Sequence, residues 1–391
     1  MLAATLHLEV GARMTRRDVV VVGAGPAGAV AARQVARRGA SVLLLDRAAF
    51  PRWKVCGACL SAGAFEVLAS VGLGGLPDAL GAEPLRTLVL SARTRSVRLP
   101  LVGARALSRV ALDHALVEAA REEGVEFWSE TRARLGPVRD DHRVLRVERH
   151  GVDVEVRARV VLDATGLGGA LVTANAPNAT VSAGSRIGLG ATFDDPRYPV
   201  RIGDLHMVVG RTGYVGIVRV ESGVLNVAAA VDPGALQGTR PDRVIAHILS
   251  SCHLEPLRGD PVAAWRGTPL LTRSPGDLGA ERLFRLGDAA GYVEPFTGEG
   301  MCWALDGARA VAPLASAGAA RWDVALLEAW REYHAAAVRE ARRLCRVLTP
   351  ALRVPWLVDG ALATLNVMPG LAAPLVRRAA RPPASTPAVS A

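Results

Sequence analysis

Lysine is almost missing from this chain. Of its 47 basic residues, 46 are arginine and one, Lys54, is lysine. The arginines are scattered, with no run of five or six, so the formal charge of +10 reads as codon bias and not as a nucleic-acid interface. Aromatic residues make up only 4%, so the core must be built from Ala, Val and Leu. Five cysteines (Cys56, Cys59, Cys252, Cys302, Cys345) are too few and too irregular for a disulfide framework. The eight histidines show no metal-ligand spacing. A secretory leader is not expected, because His7 and Glu9 fall where its apolar core would lie, and a cytoplasmic location follows; Met14 is an alternative start. The apolar stretch from Trp356 to Val376 is broken by Pro369 and Pro374 and contains Asp359. It is a poor membrane span, and two short helices over the active site or on a membrane surface fit better.

What remains is a well-packed α/β chain of 391 residues, half of them hydrophobic and 40 of them glycine. Asp18 to Val22 is an apolar strand. The turn Gly23-Ala24-Gly25-Pro26-Ala27-Gly28 follows it, then an Ala-rich helix to about Arg38, and a second strand from Ser41 to Leu45 that ends in Asp46. Gly23 permits the tight turn, Gly25 lets a pyrophosphate approach the backbone, and Gly28 lets helix and strand pack. The helix start offers free N–H groups and partial positive charge to phosphates. Asp46, with Arg47 beside it, stands where a carboxylate accepts ribose hydroxyls. The unit binds a dinucleotide.

Further along, Ala111–Glu123 has the periodicity of a helix, Val152–Val156 and Arg159–Leu162 of two strands, and Tyr214–Val220 with Val224–Val231 of a hairpin. Leu283–Leu286 is a buried strand running into Gly287-Asp288. Next come Pro295-Phe296-Thr297-Gly298-Glu299-Gly300-Met301 and a helix to about Leu314. Residues 323–348 predict a long amphipathic helix.

This second segment resembles the p-hydroxybenzoate hydroxylase-like flavoproteins, and within them the geranylgeranyl reductase family. The resemblance implies FAD. It places Asp288 on the ribityl chain and aims the loop Pro295–Met301 at the isoalloxazine ring, where helix-start N–H groups favour negative charge. Three more segments match. Arg109 and Asp113 open a helix like the family's Arg-x-x-Leu-Asp-x-x-Leu start, with the arginine on the cofactor. Asp163-Ala164-Thr165-Gly166 is like the family's turn near the adenosine half. Lys54-Val55-Cys56-Gly57 resembles the family's Lys-x-Cys-Gly segment.

The implied fold is α/β. A Rossmann-type FAD-binding domain, split in sequence (14–75, 101–185, 273–320), carries inserted antiparallel β substrate strands (76–100, 186–272). A helical C-terminal region (321–380) and a disordered tail (381–391) complete it. The candidate catalytic residues are Lys54, Cys56, Glu299 and Tyr214. Lys54 stands out because an ammonium with a tunable pKa is not replaceable by arginine at every site. For Cys56 and Cys59, a redox dithiol, a single functional cysteine and plain structural thiols all remain open. The hairpin Tyr214-Val215-Gly216-Ile217-Val218-Arg219 lacks the Trp and Pro of the aromatic stretches in geranylgeranyl reductases and flavin halogenases, which reshapes the pocket. The expected activity is reduction of a C=C in a lipid-like or polyketide-like molecule, with NADPH or NADH as electron donor. The alternative is a monooxygenase acting on an aromatic or polyketide substrate, and halogenation or disulfide reduction ranks lower.

Overall fold

The structure is a computed structural model that describes residues 15–373 except 170, 172–178, 295 and 297. The expected disordered tail and the alternative start at Met14 lie outside the described residues. Strand β1 (Thr15–Val22), helix α1 (Pro26–Ala36) and β2 (Val42–Leu45) form the βαβ unit the glycine turn predicts. Pro26 sits in the first turn of α1, where its missing N–H costs nothing. Two glycines are sterically required here. A Cβ on Gly28 would lie 1.8 Å from the Gly23 carbonyl oxygen, and one on Gly23 (φ +106°) would lie 2.2 Å from the Ala164 carbonyl oxygen.

The chain continues through α2 (Ala62–Ser70), β3 (Thr87–Ala92), β4 (Arg95–Pro100), α3 (Arg109–Glu122) and β5 (Glu126–Trp128). Then come β6 (Thr131–Arg139), β7 (His142–Arg149) and β8 (Val152–Asp163). The order β14–β8–β1–β2–β5 makes a parallel sheet, with β14 (Leu283–Arg285) arriving from far along the chain. The two strands expected at 152–156 and 159–162 are one. Residues 152–158 of β8 pair with β7 on one side while residues 156–163 pair with β1 on the other, so the ladder has no gap in which to break.

A second, seven-stranded sheet joins β3 and β4 to β9 (Ile187–Phe193), β10 (Asp204–Gly210), β11 (Gly213–Arg219), β12 (Leu225–Val231) and β13 (Ala263–Leu270). It is antiparallel except where β10 meets β3. Helix α4 (Pro241–Ser250) covers one face of it with Val244, Ile245, Ile248 and Leu249.

Helix α5 (Gly300–Ala320) outruns the expected end near Leu314. It packs on α1, and its small residues stay buried in the shared core as far as Ala319, beyond Pro313. Helix α6 (Val324–Ala351) and helix α7 (Pro355–Val367) follow. Trp330 of α6 donates its indole N–H to the Arg285 carbonyl, 3.0 Å away. Helix α7 lies on β3 and β4 with Val358 and Leu362 inward. Among the described residues no helix is long and apolar enough to cross a membrane.

Candidate active site

The first cleft, about 570 Å³, opens where β1, β2 and β8 end. Gly23, Gly25, Asp46, Arg47, Arg52, Ala164 and Thr165 line it, together with Thr131 to Arg134. Asp46 is held in place: its two oxygens accept the backbone N–H groups of Ala24 (2.8 Å) and Ala48 (2.9 Å). Asp163 departs from its expected place on the cofactor. Its carboxylate is buried and accepts the Thr165 N–H (3.1 Å) and hydroxyl (2.6 Å), with Arg285 3.5 Å away. Burial raises its pKa. It therefore shapes the Ala164–Gly166 turn from behind and does not face the cleft.

Gly25, Lys54, Val55 and Ala164 also line a second cleft of about 220 Å³, which continues the first. Pro26, Ala27, Cys56, Arg109, Gly166, Tyr214, Gly287, Asp288, Gly298, Gly300 and Met301 all reach it. The structure thus gathers residues from six segments of the sequence into one wall. Pro295 and Thr297 lie outside the described residues.

Cations dominate the corner between the clefts. Arg109 grips Asp113 with two 2.7 Å hydrogen bonds, and Arg52 reaches the same carboxylate at 3.2 Å and Asp46 at 3.6 Å. A Cβ on Gly25 would sit 3.5 Å from a terminal nitrogen of Arg109 and 3.7 Å from one of Arg52. The phosphate turn therefore faces two guanidinium groups as well as the α1 N-terminus, a donor set suited to a dinucleotide's diphosphate. FAD fits this site. Burial, then Arg109 and Arg52, lower the pKa of Lys54, against the pull of Asp288 and Asp113.

The remaining candidates divide. Cys56 hydrogen-bonds Arg109 and accepts the Ala58 N–H at 3.4 Å. Cys59 donates to the Gly57 carbonyl at 3.3 Å, and burial pushes its thiol up to about 12. Both thiols are free. A thiol so reluctant to ionise is poorly suited to disulfide exchange. Glu299 departs from its expected role: it is buried just before α5, beside the Cys302 thiol, and is not among the lining residues of the cleft. Tyr214 lines the cleft with its ring, edge-on to Phe296 at 5.0 Å. Its hydroxyl bonds Glu294, and burial with that carboxylate raises its pKa well above 10.0. Glu294 in turn pairs with Arg186 at 3.1 Å, both 1% exposed. Tyr214 is therefore a wall residue whose polar end is already engaged.

Sequence reading missed Arg52, Arg186 and Glu294. It also missed a third cavity of about 330 Å³, which leaves the second cleft at Cys59, Leu205, Met207, Phe296 and Gly298. Leucines of β3 and β4 and residues Val358, Leu362 and Leu365 make its walls almost wholly apolar. The only prior signal was the apolar stretch that forms α7.

A dinucleotide cleft opening onto a second sheet defines a FAD-dependent oxidoreductase. The chain belongs to the FAD binding domain family, whose model matches residues 16–343. Its relatives include reductases of the geranylgeranyl type. It is 33% identical over 306 residues to digeranylgeranylglycerophospholipid reductase 1 of Methanopyrus kandleri, covering 74% of this chain and 77% of that protein. It is 28% identical over 375 residues to the menaquinone reductase of Mycolicibacterium smegmatis, covering 86% and 85%. Two solved structures share the fold at 18% identity. One is a geranylgeranyl bacteriochlorophyll reductase-like protein of Thermoplasma acidophilum (TM-score 0.76, 90% of this chain and 92% of that one). The other is a flavin-dependent brominase (TM-score 0.75, 94% of each chain).

Proposed function

We propose that this enzyme reduces a C=C bond in a lipid-like, prenyl-bearing molecule, with a nicotinamide dinucleotide, NADPH or NADH, as electron donor. The observation that carries this reading is the apolar cavity under α7, joined to the cleft at Phe296 and Met207. A saturated or prenyl tail fills such a space at about 0.8 kcal/mol per buried CH₂. The names of the reductase relatives point the same way.

FAD supplies hydride when bound. The chain's own residues do the rest. Gly25, Arg52 and Arg109 would hold the diphosphate, Asp46 the adenosine ribose, and Asp288 the ribityl chain. The N-terminus of α5, at Gly300 and Met301, faces the cleft and favours negative charge there. Phe296, Met207 and Tyr214 exclude water from the reacting bond. Saturating a C=C would also need a proton at the second carbon; Lys54, made more acidic by burial and by two arginines, is the proton source we assign.

The test is anaerobic turnover with prenylated quinones and prenylated glycerolipids. The expected product carries two more hydrogens in its prenyl chain, read for the quinones after the head group has been reoxidised. A product that forms only with oxygen and contains it would replace this reading by a monooxygenase.

A further inference from the structure

The apolar cavity opens on the protein surface. Val102, Leu357 and Leu371 line it and are themselves exposed, so they form its rim. Trp356 (71% exposed), Val367 (81%) and Met368 stand just outside. Exposed apolar side chains gathered around a cavity mouth mark an interaction surface. The strands beneath α7 carry charge of one sign. Residues 85–105 contain five arginines and no acidic residue; Arg98 and Arg105 are paired with Asp204 and Asp78, while Arg86, Arg93 and Arg95 are exposed. The acid of α7, Asp359, is matched by Arg93 at 3.1 Å.

We infer that this face docks on an anionic phospholipid bilayer, so that the substrate's tail passes from the membrane into the cavity without crossing water. The apolar rim enters the boundary between headgroups and acyl chains, and Arg86 and Arg95 meet the lipid phosphates. Contact is interfacial, since no described helix is long and apolar enough to span a bilayer. Direct transfer spares the tail the cost of full hydration, about 0.8 kcal/mol per CH₂.

The inference rests on the lipid-substrate reading, yet the two fail separately. Turnover of a detergent-dispersed substrate tests the reaction, and vesicle binding without turnover tests the docking face. The FAD-loaded full chain is sedimented with phosphatidylcholine vesicles, with and without phosphatidylglycerol. It is expected to bind the anionic vesicles and to be weakened by high salt. Trp356→Ser/Met368→Ser is expected to weaken binding about tenfold or more, with flavin content confirming that the variant folds. No binding to anionic vesicles would overturn the inference, and so would unchanged binding by the variant. Dimerisation of the wild-type chain that the variant abolishes would assign the face to a second copy and overturn it equally.

Discussion

The amine nitrogen of Lys54 lies 3.3 Å from the point where a Cβ on Gly166 would stand. Two motifs more than a hundred residues apart thus share one wall of the cleft, and Gly166 (φ +73°) leaves room for the lysine to reach it.

Lys54 is the chain's sole lysine, so its titration can be read without interference. Reductive methylation should modify Lys54 and the α-amino group alone, and bound FAD should protect Lys54. An NMR titration of the methylated amine should give a midpoint below 10.5, because burial and two guanidinium groups oppose its charge. The stability consequence has a definite sign. Between the native value and 10.5 the unfolded state binds more protons, so Lys54 makes stability rise with pH across that window. Lys54→Met should therefore stabilise the cofactor-free protein at neutral pH, with a gain that shrinks as pH approaches 10.5. Urea midpoints measured over that range check this, and a gain that grows with pH would contradict it.

Glu294 and Arg186 are a buried pair, and breaking such a pair costs more than making it returns. Glu294→Gln leaves Arg186 with Asp232, 3.2 Å away and half-exposed. Because Arg186 keeps that partner, the expected loss of stability is about 1–3 kcal/mol, read by chemical denaturation. Tyr214→Phe removes one hydrogen bond to Glu294 and should cost about 1 kcal/mol with little change in turnover. Loss of turnover in Tyr214→Phe with flavin retained would make Tyr214 a catalytic residue after all.

Met207 sits where cleft and tail cavity meet. Met207→Trp should obstruct the junction. Turnover of a long-chain substrate should fall about tenfold or more, while FAD affinity and turnover of a tail-less analogue remain. Equal losses on both substrates would show that the cavity does not hold the tail.

Local rules made the cofactor end legible. The Gly23 turn, Asp46, the Tyr214 hairpin and the start of α5 are set by residues close in sequence, where glycine sterics and strand period decide the outcome. The catalytic end was harder because it is assembled at long range. Arg52 gains its meaning from Asp113, and Arg186 from Glu294, partners that no spacing announces. Glu299 shows the same limit in reverse: the sequence places it at a helix start, but only packing decides that it is buried close enough to Cys302 to act on that thiol. The apolar cavity exists because α7 lies across β3 and β4, a contact between segments some 260 residues apart.

The most direct test of the central claim is a single anaerobic half-reaction. The enzyme is reduced to its flavin endpoint, freed of excess donor and mixed with a prenylated glycerolipid, which has no quinone ring to take the electrons. The oxidised flavin spectrum is expected to return without oxygen, one flavin for each double bond saturated. Flavin that stays reduced until oxygen is admitted, and then yields an oxygenated product, would contradict it.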